Sequence, residues 1–357
     1  MVKNKNSLLC WLLLGIGLVG SSSCSDNPSQ SLNQTLTNGA GKSLIFVASG
    51  TCYGGGVTTT TPSQTVAAFD LNTGSFHHLV VDYGILSPGD SPVAIQEYDA
   101  DNMLVVVENT LGRRVDLVRK DGSSFQTYLV NSTALNAVLR SVRMASDGSV
   151  LISKSSAVEK FNSARGRVTQ GANPYVNAPA GSCATSTTLI SSIEVYPNDK
   201  ILIAHAAATP NNKISLISST GYAAAGDCLA ATAGPTTTAL PSGAVFHPST
   251  GKTLVAFGST TTASNFIYSY NVNYTSNSIS GATAVYTDTS IVNGPSAMTV
   301  DSDTGNVYVA SGTSTFNTVE AFTFSGTTLT RIGSKPFIGP NIYTRCVSSM
   351  RVMGYPQ

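Results

Sequence analysis

Residues 295–310 read PSAMTVDSDTGNVYVA: a small residue, an alternating apolar run, an Asp/Gly/Asn turn, then a β-branched run. That is the grammar of a β-hairpin. It recurs at a spacing of about 50 residues, as residues 91–107 (SPVAIQEYDADNMLVVV), 140–153 (RSVRMASDGSVLIS), 191–204 (SSIEVYPNDKILIA) and 242–256 (SGAVFHPSTGKTLVA). The small residue that opens each copy falls at Ala94, Ser141, Ser192, Gly243 and Ser296. One more copy opens at Ser349 and ends the chain without a second half. The missing half stands at the other end, where residues 44–49 (LIFVAS) match 307–311 (VYVAS) but have no first strand before them.

After each hairpin comes a third strand: residues 65–71 (TVAAFDL), 114–120 (RVDLVRK), 157–161 (AVEKF), 213–217 (KISLI), 266–271 (FIYSYN) and 318–324 (TVEAFTF). A fourth is fainter, as in 76–82 (FHHLVVD), 125–130 (FQTYLV) and 329–333 (LTRIG). Four antiparallel strands per unit, repeated radially, predict an all-β, six-bladed β-propeller. The C-terminal strand completes the N-terminal blade, since an open ring would leave a sheet face uncovered. The propeller is one domain, residues 43–357.

Charged residues are 11% of the 357-residue chain and nearly balanced, for a net charge of +1. That leaves no basic stripe for nucleic acid and no acidic field for a cationic partner. At the N-terminus, Lys3 and Lys5 precede an apolar stretch at residues 8–19 (LLCWLLLGIGLV), followed by Gly20, three serines and Cys24. Residues 1–23 therefore read as a secretory signal peptide, too short in its apolar part for a comfortable membrane span. Cys24 and the polar residues 24–42 resemble the lipid-modified cysteine and tether of a bacterial lipoprotein, although Ser21 stands where that pattern has Leu. Lipidation at Cys24 is the expectation, with ordinary signal cleavage as the alternative. The mature chain is expected in the periplasm or cell envelope, and Ser25 leans towards an outer-membrane lipoprotein.

Setting aside Cys10 and Cys24 leaves Cys52, Cys183, Cys228 and Cys346, an even number that suits disulfides in an exported protein. In an antiparallel blade the start of the first strand lies beside the end of the second. Cys52 and Cys346 should meet there and lock the ring, leaving Cys183 and Cys228 for one another. Free buried thiols are the alternative.

The repeat resembles the YVTN, NHL and lactonase-like propeller repeats: an apolar strand, a Pro/Asp-Gly turn, a Tyr-Val-Ala-Asn-like strand and a third strand ending in Phe. Residues 295–322 carry it best and residues 140–161 are a shortened version. The resemblance covers most of residues 43–353 and implies a fold; the family holds binding proteins, structural modules and metal-dependent lactonases.

The sequence shows no catalytic constellation and no metal-ligating motif. The four histidines are His77, His78, His205 and His247, without HxH or HExxH spacing. Neighbours on a regular strand point to opposite faces, so His77 and His78 are not expected to share a ligand. There is no GxSxG, and Gly54 to Gly56 lack the Lys-Ser/Thr of a phosphate loop. No cofactor is expected. First strands line a propeller's channel, where alignment puts Gln96, Arg143, Glu194 and Arg351 in one column with Val245 and Met298. This set could hold a small anion or sugar acid, or pair internally and plug the channel. One rim gathers the long segments 50–64, 172–188, 230–240 and 258–265, with Tyr53, Arg113, Tyr175 and His205 as candidate contacts. The expectation is a non-enzymatic, extracytoplasmic binding or scaffold propeller that presents this rim to an envelope protein, peptide or glycan. Nucleic acid is not an expected partner, and membrane contact runs only through the lipid. The alternative, implied by the resemblance, is a metal-dependent lactonase-like hydrolase using Glu194 and Gln96.

Overall fold

A computed structural model of the chain describes residues 42–50, 62–109, 112–130, 133–169, 174–177, 189–206, 213–221, 228–234, 239–258, 266–311 and 317–355. The expected signal peptide, Cys24 and nearly all of the expected tether lie outside these residues. The fold is a six-bladed β-propeller. Blade 1 holds β1 (Lys42–Ser49), β2 (Thr65–Asp70) and β3 (Phe76–Asp82); blade 2 holds β4 (Ser91–Glu97), β5 (Asn102–Asn109), β6 (Gly112–Arg119) and β7 (Phe125–Val130). Blade 3 holds β8 (Leu139–Met144), β9 (Val150–Lys154), β10 (Ala157–Phe161), β11 (Arg167–Val168) and β12 (Val176–Asn177). Blade 4 is β13 (Leu189–Val195), β14 (Ile201–Ala206), β15 (Lys213–Ile217) and β16 (Cys228–Ala233). Blade 5 is β17 (Leu240–His247), β18 (Lys252–Gly258), β19 (Phe266–Asn273) and β20 (Ser278–Tyr286). Blade 6 is β21 (Pro295–Val300), β22 (Val307–Ser311), β23 (Val319–Phe324) and β24 (Leu329–Arg331). The last strand, β25 (Val347–Tyr355), returns to blade 1 and sets its order as β25-β1-β2-β3. Its pairing with β1 runs from Lys42↔Tyr355 to Ser49↔Val347. In blade 3 the fourth position is split, and both β11 and β12 pair β10. Among the described residues no helix is long and apolar enough to cross a membrane.

The hydrophobic core is six cores, one between each pair of neighbouring blades. In β1, Leu44, Phe46 and Ala48 pack with Ile95 and Val105 of blade 2, while the alternate Ile45 and Val47 pack with Tyr308 and Ala310 of blade 6. Second strands are thus covered on both faces, which is why they read as continuous apolar runs rather than alternating ones; β22 (VYVAS) is buried at every position.

The small residue that opens each repeat has a geometric reason. Every first strand carries a β-bulge against its second strand, at Val93, Arg140, Ser191, Ser242, Ser296 and Ser348. A bulge leaves ladder groups unpaired, and three bulge serines repair this within their own blade. Ser191 donates to the Ala204 carbonyl (3.1 Å) and Ser242 to Ala256 (3.4 Å), while Ser348 reaches both Ala48 of its own blade (3.2 Å) and, more closely, the Pro92 carbonyl of blade 2 (2.7 Å). The residue after the bulge reaches the next blade. The Ser141 hydroxyl accepts from the Ile193 N–H (3.4 Å), Ser192 from Ala244 (3.1 Å) and Ser349 from Ile95 (3.2 Å). In blade 4 the first residue of the pair, Ser191, mends the blade and the second, Ser192, fastens it to blade 5; in blade 1 Ser348 does both.

The bulge also corrects the alignment of blade 6. Its bulged residue is Ser296, so Ala297 and not Ser296 matches Ser141, and Thr299 and not Met298 shares a column with Arg143. Thr299 behaves accordingly, accepting from the Val352 N–H of blade 1 (3.4 Å). Met298 instead packs between blades 5 and 6 with Val245.

Candidate functional site

Because first strands converge on the axis, the period of the repeat decides which side chains meet there. Arg143 on β8 donates through Nε to Glu194 on β13 (2.9 Å), through Nη1 to the Val142 carbonyl (2.8 Å) and through Nη2 to the Ala244 carbonyl (3.4 Å). Arg351 on β25 stands 4.0 Å from the same carboxylate. Gln96 stays apart, its amide donating to the adjacent Glu97 carbonyl (3.4 Å). Burial pushes the Glu194 carboxyl above its ordinary range, and the charge and hydrogen bond of Arg143 pull it back. The structure thus brings together Arg143, Glu194 and Arg351, and adds Arg140 from the bulge column at the mouth of the channel. The cavity they line measures about 30 Å³.

On the rim, Arg113 is partly exposed and bonds Glu108 (3.2 Å), whose carboxylate also accepts from the Leu139 N–H (2.6 Å). Two other expected rim contacts are buried and offer no surface to a partner. Tyr175 lies under Lys160, with its hydroxyl donating to the Ser219 carbonyl and its pKa pushed by burial up to about 12. His205 is 3% exposed and neither ring nitrogen has a hydrogen-bond partner. Burial, helped by the Lys213 charge, lowers its pKa to about 4. Tyr175 packs in the core between blades 3 and 4, and His205 sits near the end of β14 between Ile190 and Lys213 of its own blade. Tyr53, Cys52 and Cys183 lie outside the described residues. Cys346 is buried next to Val347, which pairs with Ser49, and Cys228 opens β16.

The remaining histidines differ from expectation in one respect. β3 bulges against β2 between His78 and Phe76, so His77 leaves the regular ladder. The two adjacent rings then meet, Nδ1 to Nδ1, at 2.7 Å instead of pointing to opposite faces. His78 Nε2 lies 2.8 Å from the Lys120 carbonyl, which can only accept, so this nitrogen carries the proton. By the same logic His247 donates from Nε2 to the Gly305 carbonyl (2.8 Å), and its Nδ1 accepts from Thr250 (2.9 Å), bracing a turn. Among the described residues no three His, Cys, Asp or Glu side chains gather as a metal site would need.

One set of charged residues was not recognised from sequence. Asp116, Glu159 and Glu320 occupy the same place on the third strands of blades 2, 3 and 6, each opposite a buried apolar residue of the second strand. All three are buried and paired: Asp116 with Arg114 (2.9 Å), Glu159 with Arg167 and Lys154 (both 2.8 Å), Glu320 with Arg331 (2.8 Å). In blades 3 and 6 the pair ties the third strand to the fourth. A Val-acid step repeated in RVDLV, AVEKF and TVEAF was the available signal.

No protein-family model matches the chain, and no curated protein matches it in sequence. Solved structures do match its shape. A chain of a nidogen/laminin complex aligns with TM-score 0.60 at 11% identity, over 87% of this chain and 98% of that one. A protein from Lactobacillus plantarum aligns with TM-score 0.50 at 13% identity, over 82% of each chain. A gluconolactonase from Xanthomonas campestris aligns with TM-score 0.45 at 15% identity, over 65% of this chain and 73% of that one. At these identities the likeness is one of fold.

Proposed function

We propose that this chain is an exported binding or scaffold propeller, tethered to the cell envelope through Cys24, whose long-connection rim holds a protein, peptide or glycan. The observation that carries this reading is the contrast between the two rims. On one, first strands turn tightly into second strands, across residues 98–101, 145–149, 196–200, 248–251 and 301–306. On the other, several connections are long, as in residues 50–64, 178–188 and 332–346, although 110–111 and 155–156 turn tightly. A rigid scaffold that spends chain length on one rim concentrates recognition there. The channel supports the same reading, because the Glu194 carboxylate is already engaged by Arg143 (2.9 Å). A fold of this kind inside a nidogen/laminin complex is a precedent for protein partners, from a chain similar in fold alone.

The test is binding of the purified mature chain to glycan and peptide arrays, compared between wild type and Arg113→Glu on the rim. Expected is a ligand whose retention falls at least about tenfold in the variant, a loss of roughly 1.4 kcal/mol. Metal-dependent turnover of a lactone panel that disappears in Glu194→Gln would overturn the proposal in favour of a hydrolase.

A further inference from the structure

We propose that His77 and His78 hold one soft monovalent metal ion of the copper(I) class, for which silver(I) is a probe, in line between their Nδ1 atoms. The pair exists because the bulge of β3 takes His77 out of strand alternation. The two Nδ1 atoms stand 2.7 Å apart while the ring centroids are 5.0 Å apart, a difference of two ring radii. Both nitrogens therefore lie on the line joining the rings, and their lone-pair axes point at one another. Zinc, with its four ligands, needs donors that converge from several sides, and among the described residues no third His, Cys, Asp or Glu joins this pair. A soft monovalent ion that takes two opposed donors needs no third, and imidazole suits copper.

The surroundings prepare the pair as ligands. His78 donates from Nε2 to the Lys120 carbonyl (2.8 Å), the outer contact that fixes the tautomer and ring of a metal-bound histidine. Its Nδ1 then has only a lone pair to offer, so the proton between the rings belongs to His77 Nδ1. On binding, that proton passes through solvent to His77 Nε2. Two nitrogen–metal bonds replace one N–H···N bond, both rings stay neutral, and no oxidant or reductant is involved. Zinc–imidazole bonds are about 2 Å long, and two bonds of that order in line require the nitrogens to part by about 1 Å. His77 is exposed and can swing by that much, while His78 stays anchored. Partial burial and the charges of His78 and Lys42 hold the His77 pKa below its ordinary value, which keeps the ring an electron-pair donor at neutral pH. The Lys42 charge is itself paired with Asp70, and the Tyr355 ring packs against both imidazoles, at 5.4 and 5.3 Å.

Crystals of the mature chain, with thiols blocked by iodoacetamide and then soaked in silver nitrate, test this through the anomalous scattering of silver. A peak between the two Nδ1 atoms is expected. In solution, the Nδ1 resonances of both rings should shift together as silver is added. His77→Phe keeps a ring against Tyr355 and should remove the peak. Its retention of silver against a chromophoric chelator should fall at least about tenfold, the lower bound for losing even an outer partner of a metal ligand. Silver found only on sulfur, retention unchanged in His77→Phe, or zinc occupying the pair as readily as silver would each sink the idea.

Discussion

At the scale of single residues, the most consequential group outside the channel is His205. Buried without a hydrogen-bond partner, it stays neutral in the folded protein down to about pH 4, while in the unfolded chain it takes a proton near the ordinary imidazole value of 6.5. The unfolded state therefore binds more protons between these values, so stability is complete above pH 6.5 and falls as pH drops towards 4. The loss should reach about 3 kcal/mol, and urea midpoints of wild type and His205→Leu at pH 7 and pH 4.5 check it: the variant should lose less on acidification. The staple serines make a second residue-scale expectation. Ser192→Ala removes the acceptor of the Ala244 N–H and should cost about 1 kcal/mol. In blade 5 the same position is Gly243, where an added Cβ would come no nearer than 3.4 Å to Met298 N. Gly243→Ser should therefore fit and raise the denaturation midpoint, by up to about 1 kcal/mol.

At the scale of elements, strands are held by repeated devices rather than by individual contacts. The third-to-fourth strand clamp is one: Glu159 is fully buried, while Arg167 is a quarter exposed. Glu159→Gln leaves Arg167 and Lys154 without their counter-charge and should destabilise by about 2 kcal/mol, less than a fully buried pair would lose. A denaturant titration reads it. Close approach of neighbouring blades is another device. Gly50 follows the second strand of blade 1 and Gly258 ends that of blade 5, and a Cβ on them would stand 2.1 Å and 2.8 Å from the backbone oxygens of Pro92 and Pro295 respectively. Gly258→Ala should push blades 5 and 6 apart and cost about 1–3 kcal/mol. The channel positions of Arg143 and Glu194 were legible in the sequence, because a fixed period puts equivalent residues at equivalent radii. The register of blade 6 was not. Two small residues stand side by side at Ser296 and Ala297, and only pairing with β22 shows which of them bulges. His77 and His78 misled for the same reason, since strict alternation holds only along an unbroken ladder.

At the scale of the molecule, the decisive event is closure. The return of β25 onto β1 supplies the missing inner strand of blade 1 and closes the ring, and Lys120 latches β25 by donating to the Gly354 carbonyl (2.8 Å) while it pairs with Glu97 (2.5 Å). We propose that disulfides Cys52–Cys346 and Cys183–Cys228 fix this arrangement. The pairing of Ser49 with Val347 brings the chain that leads to Cys52 alongside Cys346. Mass spectrometry of unreduced peptides should find both linkages, and Cys346→Ser should lower stability by about 2–4 kcal/mol; a Cys52 peptide joined to any other cysteine would refute the pairing. By itself the sequence determined the blade count, the strand order within a blade and the phase that assigns the last strand to the first blade. These follow from periodicity and from the apolar runs that burial on two faces demands. The tertiary structure alone decided where bulges fall, which side chains the bulges turn together, that Tyr175 and His205 are buried, and how little room is left at the axis. Each depends on how strands from different blades meet, and side-chain packing between segments far apart in the chain leaves no trace in local pattern.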